Sequence, residues 1–404
     1  MRDDAAAVME RADRLARFTE VEGEITRWYG SGSLVGALDE VERWMAAAGL
    51  ECRRDAIGNL IGSRGATGQP TVLLGSHLDS VRNAGRYDGP LGVLVGLAAL
   101  ERLEGDRPPV SVELLCFADE EGLRYRASYL ARRAFAGLLA DAELDDLDDD
   151  GVPLRDAITG MGGDPADLPS AVRSPHGLLG YLEVHIEQGP VLEAEDLPVG
   201  IVTAIAGQSR GFVDVKGTAG HAGNTPPALR EDALCGAAEL VLATEAAMHE
   251  IPGLVATVGR LDVSPGVGNV IPGLVVQSYD VRHQDDGIKA AAVDGLRARA
   301  EEICLRRGLR LDWRHLQDHP ALPMSPRLRA RLRAAVQGAG VRPFDLPSGA
   351  GHDAVSLAHL TDVSMLFVRC KGGVSHHPDE SVREDDVAVA IDVVERFLRE
   401  LPDA

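Results

Sequence analysis

A chain of 404 residues exceeds one ordinary hydrophobic core, so a large domain with a smaller companion, or two comparable domains, is expected. Its 41 Lys and Arg against 63 Asp and Glu leave a formal net charge of −22, which repels phosphate backbones and anionic lipid and excludes nucleic acid and membrane surfaces as natural partners. Five scattered cysteines without a C-x-x-C pair, and an N-terminal run (MRDDAAAVMERADRL) that is acidic where a leader is basic, point to a soluble cytoplasmic protein with reduced thiols.

Apolar periodicity predicts amphipathic helices over Ala5 to Phe18 and Leu34 to Ala48, the second stopping at Gly49. A buried strand from Thr71 to Leu74, a helix from Leu91 to Leu103 and a strand from Val110 to Phe117 then alternate as in a mixed, mostly parallel α/β sheet. Active sites of such sheets lie at the carboxyl ends of the strands. The acidic run Asp141 to Asp150 reads as solvated surface. From Gly211 the texture changes. Strand-like FVDVKG, a helix over Glu231 to Met248, strand-like LVATVGRLDV and LVVQSYDVRH, a helix over Ile288 to Arg307 and strand-like LRLDWRHL give the order βαββαβ, a ferredoxin-like unit. The expected organisation is therefore a catalytic domain over 1–210 and 323–404, with an inserted lid or dimerisation domain over 211–322. A helix at Arg327 to Gln337, a strand at Val363 to Val368 and a helix at Asp385 to Leu401 complete the first domain.

Chemistry-bearing side chains collect where apolar strands end. His77 and Asp79 follow TVLLGS, Glu120 and Glu121 follow SVELLCFAD, His185 follows YLEV, and His376 and His377 follow MLFVRCKGGVS. Any one of them has an ordinary explanation as a capped histidine, a turn-forming Asp or a solvated Glu. Together with Asp88 they supply nitrogen and oxygen ligands for two divalent cations, with no thiolate placed to join them. Such a pair needs a carboxylate reaching both ions and terminal ligands for each, and a carboxylate outside the ligand set must shuttle the proton. Adjacent residues on a strand face opposite ways, so Glu120 and Glu121 can divide these tasks only if the strand has ended, and Gly122 permits the turn. Gly85 and Gly89 likewise let the backbone around Asp88 approach closely.

The ordered motifs GSHLDSVRNAGRYDG, FADEEGLRY, EVHIEQGP, GTAGHAGNTP, GNVIPG, DVRH, SGAGHDA and GGVSHHPDE resemble the dinuclear-metal amidohydrolases of the M20 peptidase group, in the branch acting on allantoate, N-carbamoyl-L-amino acids and β-ureidopropionate. The resemblance covers nearly the whole chain. It implies that His77, Asp88 and His185 hold one ion and that Asp88, Glu121 and His376 hold the other, the cations being manganese or zinc, with cobalt also compatible. It makes Glu120 the general base and Asp79 the residue orienting His77. His376 rather than His377 is the ligand because Ser375, His376, Pro378 and Glu380 align with the pattern S-H-x-P-x-E. His221 resembles the histidine that crosses a homodimer to stabilise the oxyanion, and Gln208, Asn269, Arg282 and His352 match substrate-holding positions. Arg210 is a further substrate candidate, and a guanidinium such as Arg282 grips a carboxylate with two parallel hydrogen bonds. The chain departs from the pattern at Leu123 and Tyr125, where the family commonly has Ser and Phe.

The activity implied is hydrolysis of a ureido C–N bond, with a small ureido molecule as the substrate. Allantoate comes first, on MLFVRC followed by a Gly-Gly pair. An N-carbamoyl-L-amino acid or β-ureidopropionate is the alternative, and a ligand-binding relative without catalysis is the reading from a different class.

Overall fold

The computed structural model describes residues 2–66, 68–103, 110–125 and 129–401. The chain begins with α1 (Arg2–Leu15), α2 (Gly32–Ala47), β1 (Glu51–Arg54), β2 (Leu60–Arg64), β3 (Thr71–His77), α3 (Pro90–Arg102), β4 (Ser111–Phe117), α4 (Leu130–Phe135), α5 (Leu154–Gly160), β5 (Leu178–Ile186), α6 (Val191–Ala194) and β6 (Val199–Ile205). It continues through β7 (Gly207–Lys216), β8 (Gly220–His221), α7 (Ala233–Glu250), β9 (Val255–Thr257), β10 (Leu261–Ser264), β11 (Val270–Ile271), β12 (Leu274–His283), α8 (Asp286–Arg307), β13 (Arg310–His319) and β14 (Leu322–Pro323). It closes with α9 (Pro326–Gly338), β15 (Asp345–Ser348), α10 (Ala354–Leu357), β16 (Val363–Val368) and α11 (Glu384–Arg399). Two compact units result, one of Met1–Thr203, Met324–Leu346 and Gly351–Ala404, the other of Ala204–Pro323 and Pro347–Ala350.

In the first unit the strand order is β1-β2-β4-β3-β5-β16-β6. β3 runs parallel to β4 and β5, and β16 runs parallel to β5, while β1, β2 and β6 are antiparallel to their neighbours. The parallel centre follows from α3, which carries the chain from β3 to β4. Its residues from Pro90 to Leu100 are all buried, as expected of a helix apolar on every side and covered by both sheet and helices. Parallel register sets His77 beside Phe117 and His185 beside Phe367, so four carboxyl ends open on one edge.

Two local differences from the sequence reading matter. β3 runs on to His77, and His185 lies inside β5 rather than after it, so both imidazoles stand on rigid strand backbone. The glycine and serine in LLGSH lower the apparent strand propensity of β3, although tertiary packing keeps the segment extended.

The second unit is an antiparallel sheet in the order β10-β12-β7-β13, with β9 also on β12 and a separate two-stranded pair of β8 and β11. Val213, Val215, Val275, Tyr279 and Val281 form a core with Ala237 and Leu240 of α7 and Leu296 and Ile303 of α8. The expected single strand LVATVGRLDV is broken in two. Ser278 Oγ accepts hydrogen bonds from Gly259 N and Arg260 N (3.2 and 3.0 Å), replacing ladder bonds at that point. This unit begins at Ala204 rather than 211 and takes in 347–350, because β7 starts at Gly207. Gly211 in β7 is needed by packing: a Cβ there would lie 2.2 Å from Arg314 O and against the Tyr279 ring.

Candidate metal centre

Residues from five separate stretches meet at the carboxyl edge of the first unit. Ligand-capable atoms of His77, Asp88 and His185 lie within 4.8 Å of one another, as do those of Asp88, Glu121 and His376, and those of His77, Glu120 and Glu121. Asp88 belongs to two of these groups. Its Oδ1 is 3.2 Å from His185 Nε2, and its Oδ2 is 3.0 Å from His376 Nε2. Glu121 Oε1 stands 3.6 Å from the same His376 nitrogen, and His185 Nε2 lies 3.5 Å from His77 Nε2. Imidazoles and carboxylates converging in this way suit a divalent metal, and a nitrogen and oxygen set without thiolate favours no single member of the first-row series.

The backbone around the cluster is shaped for close approach. β4 ends at Phe117, three residues before Glu120, and Gly122 takes φ +61°, so the two adjacent glutamates are freed from strand alternation. Gly89 has φ +83°, and a Cβ there would stand 2.5 Å from the His77 ring. His376 is itself left-handed at φ +55°, uncommon for a non-glycine residue and typical of functional turns.

Hydrogen bonds fix the ring faces. His77 Nδ1 lies 3.2 Å from Asp79 O and His185 Nδ1 lies 3.0 Å from Ile186 O, so each ring donates there and turns Nε2 toward the cluster. Asp79 Oδ1 is 3.5 Å from His77 Nδ1, but its carboxylate also accepts from Glu120 N and Glu121 N at 3.0 Å each. Asp79 thus holds the glutamate turn as well as facing the histidine.

Burial opposes ionisation of Asp88, yet hydrogen bonds from His185 and His376 outweigh it and hold the carboxyl well below its usual range. Burial opposes a charged His77, but Asp79 pushes its pKa well up. Burial raises Glu120, and burial together with Glu120 and Asp88 pushes Glu121 well up. His352, buried and stacked edge-on to His185 at 4.6 Å between ring centres, is driven well down by burial and by His185. A divalent cation held there would favour ionised Glu121 and neutral His77, opposite to these two shifts, and would leave Asp88 ionised.

Gln188, Glu183, Asp353 and Arg132 are partners that the sequence motifs do not single out, while Ser375 and Glu380 of the S-H-x-P-x-E pattern gain a defined contact. Gln188 Nε2 reaches both Asp88 oxygens (3.3 and 3.2 Å), and Ser375 Oγ donates to Asp88 Oδ2 at 3.1 Å. Glu380 Oε1 accepts from Tyr87 N and Asp88 N, anchoring the Asp88 turn. Glu183, Asp353 and Arg132 are fully buried close behind Glu120 and His352. Glu183 and His185 share one face of β5 by the two-residue strand period, a signal that was present in the sequence. Nothing in LARRAF distinguishes Arg132 from its neighbour. His377 is exposed and faces Asp379 (Nδ1 to Oδ2, 3.6 Å), while Tyr125 is buried with its hydroxyl donating to Val152 O at 3.3 Å.

The remaining candidates lie in the second unit. β7 and β12 pair Gln208 with Arg282 and Arg210 with Asp280 on one face. Asp280 accepts from Gln208 Nε2 (3.3 and 3.2 Å), from Arg210 Nε (2.8 Å) and from Arg282 Nε and Nη2 (3.0 and 2.8 Å). The two-bond edge of Arg282 formed by Nε and Nη2 is therefore engaged by Asp280, and its Nη1 donates to Gly349 O. His221 pairs with Val270, next to Asn269, across β8 and β11. Its Nδ1 accepts from Gly223 N and Asn224 N at 3.2 Å, which leaves Nε2 to carry the proton.

A parallel-centred α/β unit with clustered histidines and carboxylates at its carboxyl edge, and a second unit inserted between β6 and α9, defines a metallohydrolase-like architecture. The chain belongs to peptidase family M20/M25/M40, whose model matches residues 73–400. It is 37% identical over 437 aligned residues to an allantoate deiminase of Arabidopsis thaliana, covering 98% of this chain and 82% of that one. An N-carbamoyl-L-amino-acid amidohydrolase of Paenarthrobacter aurescens is 38% identical over 405 aligned residues, covering 98% of each. Among solved structures, an amidase of the hydantoinase/carbamoylase family from Burkholderia multivorans superposes with a TM-score of 0.92 at 31% identity, covering 98% of this chain and 97% of that one. Among the described residues, no helix is long and apolar enough to cross a membrane.

Proposed function

We propose that the chain is a cytoplasmic dinuclear-metal amidohydrolase that cleaves a ureido C–N bond, with allantoate as substrate. The observation that carries this reading is Asp88, whose two oxygens face different histidines at 3.2 and 3.0 Å, as a carboxylate shared by two cations must. His77, Asp88 and His185 would hold one ion, and Asp88, Glu121 and His376 the other, as manganese, zinc or cobalt. Bound divalent cations supply Lewis acidity and bring the pKa of a water toward neutrality.

Glu120 also lies within reach of His77 and Glu121, so proximity alone would admit it as a ligand. Arg132 Nη1 donates to its Oε1 at 3.3 Å, however, which favours a role outside the ligand set. Glu120 takes a proton from the attacking water and returns it to the departing nitrogen. His221, supplied by the second copy of a homodimer, donates its Nε2 proton to the developing oxyanion. The amine and carbamate part, and the carbamate falls to carbon dioxide and ammonia. Gln208, Arg210, Asn269, Arg282 and His352 hold the substrate. With Nε and Nη2 of Arg282 engaged by Asp280 and Nη1 donating to Gly349 O, a grip on a substrate carboxylate requires Arg282 to give up or share one of these bonds.

A second reading, an N-carbamoyl-L-amino acid as substrate, is favoured by the 38% identity to such an amidohydrolase across 98% of both chains. Ammonia release from allantoate, an N-carbamoyl-L-amino acid and β-ureidopropionate, each with manganese- or zinc-loaded protein, decides between them. Glu120→Gln is expected to lower kcat by about 10²–10⁴-fold with metal retained. A Glu120→Gln protein as active as wild type overturns the mechanism, and no turnover of any ureido compound overturns the function.

A further inference from the structure

Among the described residues three buried arginines stand in the first unit, and two have evident structural work. Arg27 donates through Nε to Leu78 O (3.0 Å) and through Nη1 to Leu15 O (3.0 Å) and Phe18 O (3.2 Å), pinning three carbonyls in two backbone segments. Arg369 makes a two-bond pair with Asp386 at 2.8 Å each and a third bond to Asp196 at 2.8 Å.

Arg132 differs. Its side chain is 0% exposed, and its ion pairs run through one nitrogen: Nη1 lies 3.3 Å from Glu120 Oε1 and 3.6 Å from Asp353 Oδ1. Among the described residues, no hydrogen-bond partner reaches its Nε or Nη2, nor either Asp353 oxygen. The guanidinium stacks on the Tyr129 ring, 3.5 Å from its centre. A buried cation with most of its donors unmatched lowers stability relative to a well-packed apolar residue, so stability does not account for it. What Arg132 does touch is the carboxylate assigned as base and the residue after His352. Glu183 secures that second partner from behind by accepting from Asp353 N (3.4 Å) and Ala354 N (2.8 Å).

We infer that Arg132 is a positioning residue: its Nη1 fixes one oxygen of Glu120 and ties it to the Asp353 turn bearing His352, leaving the other Glu120 oxygen for the proton in transfer. This rests on the hydrolase reading above. Guanidinium is suited to the task because it keeps its proton throughout the cycle and its planar fork holds direction.

The test compares metal-loaded wild type, Arg132→Met, Arg132→Lys, Glu120→Gln and the Arg132→Met/Glu120→Gln pair. Measurements are kcat, KM, metal per chain and Tm. With the base misplaced by about 1 Å, Arg132→Met should lose on the order of 10²-fold in kcat while KM and metal content stay near wild type, and Arg132→Lys should recover about tenfold of that loss. Arg132→Met leaves Glu120 buried without its counter-charge, so Tm falls, and adding Glu120→Gln should raise it again rather than lower it further. If Arg132→Met does not fold alone, recovery of folding in the pair carries the same support. An Arg132→Met kcat close to wild type, a loss that tracks metal content or KM, strictly additive Tm changes, or a pair that stays unfolded overturns the inference. An inactive wild type, or a fully active Glu120→Gln, removes the hydrolase reading instead, and the Tm comparison then still decides whether Arg132 and Glu120 are coupled.

Discussion

Replacing Gly89 by alanine tests whether the glycine-rich turn exists to let backbone pass against a ligand ring. Gly89 has φ +83° and ψ −64°, a conformation that holding an L side chain makes unfavourable by about 1–3 kcal/mol. The added methyl would lie 2.5 Å from His77 Cε1 and Nδ1 and 2.7 Å from Nε2, whereas carbon contacts settle at about 3.5–4.0 Å. Relief requires the ring to move by roughly 1 Å, several times the ~0.2 Å tolerance of a metal–ligand distance. Loss of correct ring orientation lowers metal affinity by about 10–100-fold. Gly49→Ala is the control: its φ is +78°, but nothing lies within 4 Å of its Cβ position. Both variants should melt lower, by about 2–4 °C per kcal/mol in a domain this large, and only Gly89→Ala should lose metal on dialysis, read by elemental analysis. Full metal occupancy in Gly89→Ala, or equal loss in the control, would refute the steric argument.

Other outcomes follow from the same geometry. Chelation should abolish ammonia release and lower Tm, with both restored by manganese or zinc; at free metal about 1,000-fold above Kd the stabilisation is about 4 kcal/mol, visible by calorimetry. His376→Ala should lose part of the bound metal while His377→Ala keeps it all, since His377 is exposed and directed at Asp379; elemental analysis of the two decides. Arg369→Met leaves the Asp386 carboxylate, 3% exposed, without its two-bond partner and should destabilise by about 3–5 kcal/mol in denaturant titration, without change in metal content.

The candidate centre was legible in sequence because its chemistry is concentrated at strand ends, where the apolar run stops and polar residues cluster. Position near strand ends nominated His77, Asp79, Glu120, Glu121, His185, His376 and His377, with Asp88 from the glycine-rich turn, and only the resemblance separated Glu121 from Glu120 and His376 from His377; parallel register then explains why segments far apart in the chain meet on one edge. The layer behind them was hidden for a physical reason. Arg132 lies on the short helix α4 between residues of ordinary composition, and its significance depends on complete burial beside Glu120, a tertiary fact with no local periodicity. Asp280 is similar: DVRH drew attention to Arg282, whereas the alternation of β7 and β12 places Asp280 among Gln208, Arg210 and Arg282, engaging the edge expected to grip substrate. The strand limits were obscured by Gly75 and Gly211, which lower strand propensity yet are required because a Cβ at either would collide with a neighbouring backbone carbonyl, Leu115 O at 2.5 Å and Arg314 O at 2.2 Å. Glycines that look like interruptions are here the condition for the strands to pack, so the sequence signal for a strand is weakest where tertiary contact is closest.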